Sequence, residues 1–271
     1  AFLKKNPYNP FNDQLQVMLG ILHYEAKDYT LALQLFDGVN PERFGRAHRI
    51  MYSFARGYSL LQTEQYASAA DVFRKLKDED SPYKVASVYY YSYSEYFLKN
   101  YAAALPGFQE VELVDKYRED VTYYLFQLYY HSGQTDSLQV KADYLLKHYP
   151  NHSNNSELFR IKGEMAYNEK NYNEAIDFLK RYESMTPRML RHSSYLMGMS
   201  LIRTNRHNSA IPYLQQVTTD EDALTENAYL HLGHCFLKIN DKPNARMAFE
   251  AVLRTSFDAK VREEAMLNYA L

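Results

Sequence analysis

The stretch YSYSEYFLKNYAAALPGF, residues 91–108, carries Ser92, then Tyr101 nine residues on, Ala104 three further and Phe108 four beyond that. The same scheme recurs in LGILHYEAKDYTLALQLF (19–36), RGYSLLQTEQYASAADVF (56–73) and KGEMAYNEKNYNEAIDFL (162–179). It recurs again in MGMSLIRTNRHNSAIPYL (197–214) and LGHCFLKINDKPNARMAF (232–249). The alanines Ala32, Ala69, Ala104, Ala175, Ala210 and Ala245 lie 37, 35, 71, 35 and 35 residues apart. The interval of 71 spans two periods, and LFQLYYHSGQTDSLQVKADYLL (125–146) fills it with Leu138 at the alanine position. A period of this length holds two helices and a turn.

Composition agrees with an all-α chain. Glycine and proline number only nine each in 271 residues, and apolar residues recur at helical rather than alternating spacing. At 46% apolar and 24% charged, the sequence is too hydrophobic to be disordered. Lys+Arg total 31 against Asp+Glu 33, a near balance that argues against an electrostatic grip on nucleic acid. No apolar run approaches the roughly 18 residues of a membrane span. Cys235 is the single cysteine, so there is no intramolecular disulfide and no multi-cysteine metal site.

The pattern resembles the tetratricopeptide repeat, with its small residue in helix A, Tyr, Ala and an aromatic in helix B, and proline at the closing turn. The small positions are Gly20, Gly57, Ser92, Phe126, Gly163, Gly198 and Gly233, and the closing prolines Pro41, Pro150 and Pro187. The resemblance implies a right-handed α-solenoid of about seven helix-turn-helix units in one array over 1–271. Its units are about 13–46, 50–83, 85–117, 119–152, 156–189, 191–223 and 226–259, with 1–10 and 261–271 as partial terminal helices. A small residue lets helices A and B approach, and no unit buries its apolar face alone, so neighbours must stack. Two departures stand out. Phe126 occupies the small position of the fourth unit, which predicts wider helix packing there. Arg56 and Lys162 stand where the family places a buried Leu, which predicts snorkelling stems. The phrase HYPNHSNNSELFRIKGEMAY (148–167) is similar to repeats of bacterial cell-envelope scaffolds, including Tol–Pal-associated and outer-membrane-assembly proteins. That likeness implies a periplasmic location, with the cytoplasm as the alternative.

In such arrays helix A lines the concave surface, and the family's groove positions fall three before, one after and four after the small residue. At about 100° per residue these form one stripe. Its members are Val17, Ile21, Tyr24; Phe54, Tyr58, Leu61; Tyr89, Tyr93, Tyr96; Tyr123, Gln127, Tyr130; Arg160, Glu164, Tyr167; Tyr195, Met199, Ile202; and Leu230, His234, Leu237. Nine of these 21 are tyrosine, so the stripe reads as an aromatic binding face. The candidate partner-binding residues are Tyr24, Phe54, Tyr58, Tyr89, Tyr93, Tyr96, Tyr123, Gln127, Tyr130, Arg160, Glu164 and Tyr167, with Arg160 and Glu164 fixing orientation. The alternative is that part of the stripe is core between repeats.

Other constellations are weaker. His231 and His234 stand at i, i+3 beside Cys235, but Cys235 points away from His231 and no carboxylate completes a metal site, so groove-lining or packing is expected. His148 and His152 are separated by Pro150. Arg43, Arg46, Arg49 and Arg56 read as a solvated basic helix end, or as an anchor for an acidic tail. The family's clamp for a C-terminal carboxylate needs Lys and Asn where this chain has Val17, Ile21, Phe54 and Tyr58, which excludes that mode. Nucleophile elbows, phosphate loops and HExxH motifs are absent, and Glu110 and Glu112 point to different faces. Asn151-His-Ser is a formal glycosylation sequon. The expectation is a non-enzymatic scaffold without cofactor or metal, binding a protein or peptide segment, with no nucleic-acid partner. Two other classes remain open: a glycan or small-ligand receptor using stacked tyrosines, and a structural, self-associating spacer.

Overall fold

A computed structural model describes residues 11–152 and 154–269; the partial helix expected over 1–10 lies outside them. The described residues form fifteen α-helices, one 3-10 turn (Pro41–Arg43) and no strand. Two compact units divide the chain, Ala1–Lys141 and Ala142–Leu271.

The first unit contains α1 (Asn12–Glu25), α2 (Tyr29–Phe36), α3 (Arg46–Gln62), α4 (Tyr66–Leu76), α5 (Lys84–Phe97), α6 (Tyr101–Val111), α7 (Asp115–His131) and the start of α8 (Thr135–His148). The second continues with α9 (Asn155–Asn168), α10 (Tyr172–Met185), α11 (Arg191–Arg203), α12 (His207–Gln215), α13 (Ala223–Lys238), α14 (Lys242–Leu253) and α15 (Ala259–Tyr269). From α1 to α7, and again from α9 to α15, successive helices pack on one another. Odd-numbered helices are the A helices and even-numbered ones the B helices.

The seven A helices from α1 to α13 end in the same way. Lys27, Glu64, Lys99, Gly133, Lys170, Asn205 and Asn240 all take a left-handed conformation, φ 60–68°. The next N–H returns to the carbonyl five residues back, as in Asp28 to His23, Asn100 to Glu95 and Asn171 to Ala166, each 2.8 Å. This closure satisfies the orphan carbonyls of the helix end and reverses the chain. Only one of the seven positions is glycine, so the turn is held by the hairpin rather than by local preference.

The sixteen-residue offset between small and large residues is the central contact of the hairpin. A Cβ on Gly20 would fall 2.4 Å from Phe36, and one on Gly233 2.4 Å from Phe249. On Gly163 and Gly198 it would fall 2.7 and 2.8 Å from Leu179 and Leu214. The third hairpin keeps Phe108 at that offset but divides the small residues between its two helices. Ser92 brings a side chain to the small position, and α6 answers with Gly107, where a Cβ would meet Ser92 Oγ at 2.1 Å. In the fourth repeat Phe126 stands at the small position and is buried.

Polar straps hold the connections between repeats. Seven residues before the small position, Asp13 pairs with Arg43 at 3.0 Å in the first unit. In the second unit the corresponding Arg191 grips the connection after α12. It donates to both Asp222 oxygens (2.8 and 3.0 Å), to the Val217 carbonyl and to Thr225 Oγ1. One repeat further, Glu226 is fully buried and accepts from Thr255 Oγ1 (2.5 Å) and from the N–H groups of Phe257 (3.1 Å) and Asp258 (2.7 Å). Lys162 does not snorkel to solvent: it is 7% exposed, donates to Asp143 at 3.0 Å and lies over the Phe178 ring. Arg56 is half-buried and lines a cavity of about 520 Å³ with Asp37, Tyr52, Ser68 and Asp71.

Candidate functional site: the tyrosine face of the A helices

In the first unit the helix A stripe is a chain of ring contacts. Tyr24 meets Tyr58 edge-on at 5.7 Å, and Tyr29 joins both, at 6.3 and 5.8 Å. Tyr58 leads to Tyr90 at 5.1 Å, and Tyr90 packs on Phe54, Phe73 and Tyr89. Tyr89 stacks on Tyr117 at 4.4 Å. On the more open side Tyr66 stacks on Phe97 at 5.0 Å, and Tyr93 meets Phe97 at 4.6 Å and Tyr124 at 5.7 Å. Tyr124 stacks on Phe108 and touches Tyr96, whose hydroxyl donates to Gln127 Oε1.

The twelve candidate residues fall into two layers. Phe54, Tyr89, Tyr123 and Glu164 are buried, at 9, 7, 4 and 8% exposure, and so support the face from beneath instead of presenting a surface. Tyr24, Tyr58, Tyr93, Tyr96, Gln127, Tyr130, Arg160 and Tyr167 are half-buried. Among the aromatic candidates, the residue three before the small position therefore turns inward, and those one and four after it reach the rim; Arg160 and Glu164 reverse this order. In the second unit Arg160 pairs with Glu157 and Glu164 on its own helix, so these charges neutralise each other internally. Tyr167 leans on Tyr172 at 5.8 Å, and Tyr130 meets His131 edge-on at 5.7 Å.

Five aromatic residues of the face lay outside the sequence-derived set: Tyr29, Tyr66, Tyr90, Tyr124 and Phe97. Tyr90 and Tyr124 both stand two before the small position and insert into the preceding repeat, a register visible in the sequence once the repeats are aligned. Tyr29 and Tyr66 are the first residues of their B helices, where the ring swings back over the turn. Phe97 is 42% exposed.

Burial raises the hydroxyl pKa of Tyr24, Tyr93, Tyr124, Tyr89 and Tyr90. These phenols stay neutral at physiological pH and act as hydrogen-bonding, ring-bearing groups. Beyond burial, exposed charges act on the phenols of the face in both senses: Glu25 on Tyr24, Glu64 on Tyr66 and Tyr93, and Asp120 on Tyr89, Tyr93 and Tyr124 raise the pKa, whereas Lys27 opposes the rise at Tyr29.

The remaining constellations are structural. Arg43, Arg46 and Arg49 lie at an exposed helix end, where they pair with Asp13, Glu79 and Glu42. His231 packs against Tyr195 and His234, and burial pushes its pKa down to about 4. His234 Nε2 lies 3.0 Å from Glu264. Cys235 is buried and its thiol pKa is raised to about 11, which makes it unreactive. Among the described residues no group of three His, Cys, Asp or Glu could hold a metal, and no helix is long and apolar enough to cross a membrane.

Residues 195–259 match the family model described as tetratricopeptide repeat. Over that stretch the sequence is similar to the tetratricopeptide repeat. Three solved structures carry the same fold along most of the chain's length. A tetratricopeptide repeat protein from Parabacteroides merdae ATCC 43184 is 12% identical over 95% of this chain and 98% of its own, with a TM-score of 0.54. The C-terminal part of a TPR repeat-containing protein from Cytophaga hutchinsonii is 14% identical, with coverage of 92 and 98% and a TM-score of 0.58. YrrB, described as a TPR protein with an unusual peptide-binding site, is 14% identical, with coverage of 74 and 100% and a TM-score of 0.57. At these identities the likeness shows the fold, the all-α tetratricopeptide class. No curated relative matches the sequence.

Proposed function

We propose that the protein is a non-enzymatic scaffold that binds a protein or peptide segment across the tyrosine face of the A helices in its first unit. The observation that carries this reading is the rim itself. Tyr24, Tyr29 and Tyr58 touch one another, as do Tyr66, Tyr93 and Phe97; Tyr90 and Tyr89 bridge the two groups, whose six residues all stay partly or fully exposed. Rings already ordered by mutual packing lose little further entropy on binding, and their hydroxyls can satisfy a partner's backbone. Each ring side chain fully covered would contribute about 1.5–3 kcal/mol before association costs. The peptide-binding description of YrrB, a neighbour in fold, supports the same use of the architecture.

The test is site-specific photo-crosslinking in the source organism, with a benzoylphenylalanine placed at position 66 or 97 and, as control, at exposed positions 110 or 147 on B helices. Crosslinks confined to 66 and 97 are expected. Equal labelling at the control positions would place the partner elsewhere. Replacing Tyr66 and Phe97 by Ala should abolish capture and leave helicity unchanged; a loss of helicity instead would make the face core.

A further inference from the structure

Lys162 and Asp143 close a register of the second unit that stands open in the first. Lys162 directly precedes Gly163, and its carboxylate partner, at 3.0 Å, lies nineteen residues back inside α8. Arg56 directly precedes Gly57, and the residue nineteen back is Asp37. No pair forms there. α2 ends at Phe36, and Asp37 continues in an extended conformation, φ −66° and ψ 136°, off the helical register that Asp143 keeps. Arg43, Arg46 and Arg49 have carboxylate partners, but Arg56 makes no hydrogen bond or ion pair with any described residue. It lines the cavity of about 520 Å³ between α2, α3 and α4, along which Phe36, Val39 and Leu76 are buried. Lys75, Ser53 and Ser68 bring an ammonium and two hydroxyls to the same cavity, and none of them is bonded to a described residue. Of its two carboxylates, Asp71 is paired with Arg74 and Asp37 is exposed. Two later hairpin junctions have a groove at the same register. There Tyr91 and Leu232 replace Arg56, and Glu110 and Ala251 replace Lys75.

We propose that this cavity is a binding site for a carboxylate, separate from the tyrosine face, with which it shares no residue. Arg56 and Lys75 take the acid group, and Phe36, Val39 and Leu76 cover the aliphatic stem behind it. The acid is the side chain of an Asp or Glu in a partner segment, or a free carboxylic acid of the same chemistry. A half-buried guanidinium has lost part of its hydration, and a carboxylate compensates it through two parallel N–H···O bonds. The second unit meets that need at the same register with its own Asp143; the first leaves it to a ligand. The cavity volume falls within the range of small-molecule sites, about 300–1,000 Å³. A cationic ligand would face two unpaired cations against one exposed carboxylate and be disfavoured.

The experiment uses two probes on the intact protein at low salt: N-acetylglutamate, and the dodecapeptides enriched on it from a random library displayed on phage. Both are titrated into the wild type and into three variants, Arg56→Leu, Asp37→Asn, and the double change Tyr66→Ala with Phe97→Ala. Leucine already stands at the position of Arg56 in three other A helices, as Leu19, Leu125 and Leu232, so Arg56→Leu should keep the wild-type helix content by circular dichroism. Enriched peptides carrying Asp or Glu should weaken about tenfold on Arg56→Leu and keep their affinity on the aromatic variant. Asp37→Asn should leave that affinity unchanged or raise it; a loss there would make the ligand's anchor a cation and overturn the carboxylate. Arg56-dependent binding of N-acetylglutamate without enrichment of such peptides would assign the site to a free acid instead of a protein segment. Binding of both probes indifferent to Arg56→Leu, or no binding of either, would overturn the site. Peptides that depend on Tyr66 and Phe97 alone would overturn it too, while upholding the tyrosine face.

Discussion

In Ala1–Lys141 the space between successive hairpins is filled by rings, whereas in Ala142–Leu271 the corresponding positions hold aliphatic side chains and one histidine. The contrast is sharpest two residues before the small position. Ala55, Tyr90 and Tyr124 stand there between hairpins of the first unit, Ile161, Leu196 and His231 in the second. The ring-filled unit gains area and leaves hydroxyls and ring edges at a surface. The aliphatic unit closes on itself and takes its definition from Arg191 and Glu226. One backbone scheme thus supports a face suited to contact and a body suited to rigidity, by exchanging one register of side chains.

The largest break in this contrast should come from the ring-filled side. Phe108→Ala removes a fully buried ring that Tyr89, Tyr96 and Tyr124 all contact, and should cost about 3–5 kcal/mol. Native-state hydrogen exchange should lose protection in peptides from 84–131 while those from 191–253 keep theirs. On the other side, Glu226→Ala strands the donors of Thr255, Phe257 and Asp258 and should cost about 2–3 kcal/mol by urea denaturation, with protection lost around α13–α15. Loss in the first unit as well would erase the distinction between the two.

The two units should also fail at opposite ends of the pH scale. The tyrosines of the first unit have raised folded-state pKa values, so they contribute stability that is present below pH about 10 and lost as the pH rises above it. Tyrosinate absorbance near 295 nm should therefore appear together with unfolding of 11–141, rather than before it. His231 is shifted the other way, down to about 4 under burial, with His234 and Arg203 pushing in the same direction and Glu264 opposing. The unfolded chain binds the extra proton between about pH 6.5 and 4, so stability is full above that window and falls through it. The loss should be about 1–2 kcal/mol once the partial exposure of the ring is allowed for. His231→Phe should flatten the acid limb of the melting curve; an unchanged limb would assign it to other groups. The smallest effect is expected at the hairpin turn. Lys99→Gly exchanges left-handed strain for unfolded-state entropy and should shift stability by no more than about 1 kcal/mol in either direction.

Much of this was legible from residue spacing. The offset from Gly20 to Phe36, from Gly163 to Leu179 and from Gly233 to Phe249 marks the hairpins because a fixed close approach demands a fixed pair. The candidate face was half legible. Tyr24, Tyr58, Tyr93 and Tyr96 reach the rim as their register implies, but Phe54, Tyr89 and Tyr123 do not. A position on an A helix between two neighbours is covered by whichever residue the next repeat inserts, here Tyr90 and Tyr124. That depends on how far one hairpin is rotated against the next, which no single-helix periodicity contains. Arg160 and Glu164 looked like a pair of charges offered to a partner, yet four residues apart on a helix they satisfy each other first.

The exchange of bulk at Ser92 and Gly107 also bears on descent. Where a hairpin keeps Gly on helix A and Phe or Leu on helix B, any A helix can in principle be recombined with any B helix of the array. The third hairpin keeps Phe108 but has left that common scheme: α5 carries Ser92 in place of glycine and so fits a B helix with glycine at position 107. Duplication and shuffling of this region would be viable with breakpoints at the connections between repeats, and disfavoured at the turn within one. The heritable unit here is the hairpin, and a single substitution at either position would have to wait for its counterpart.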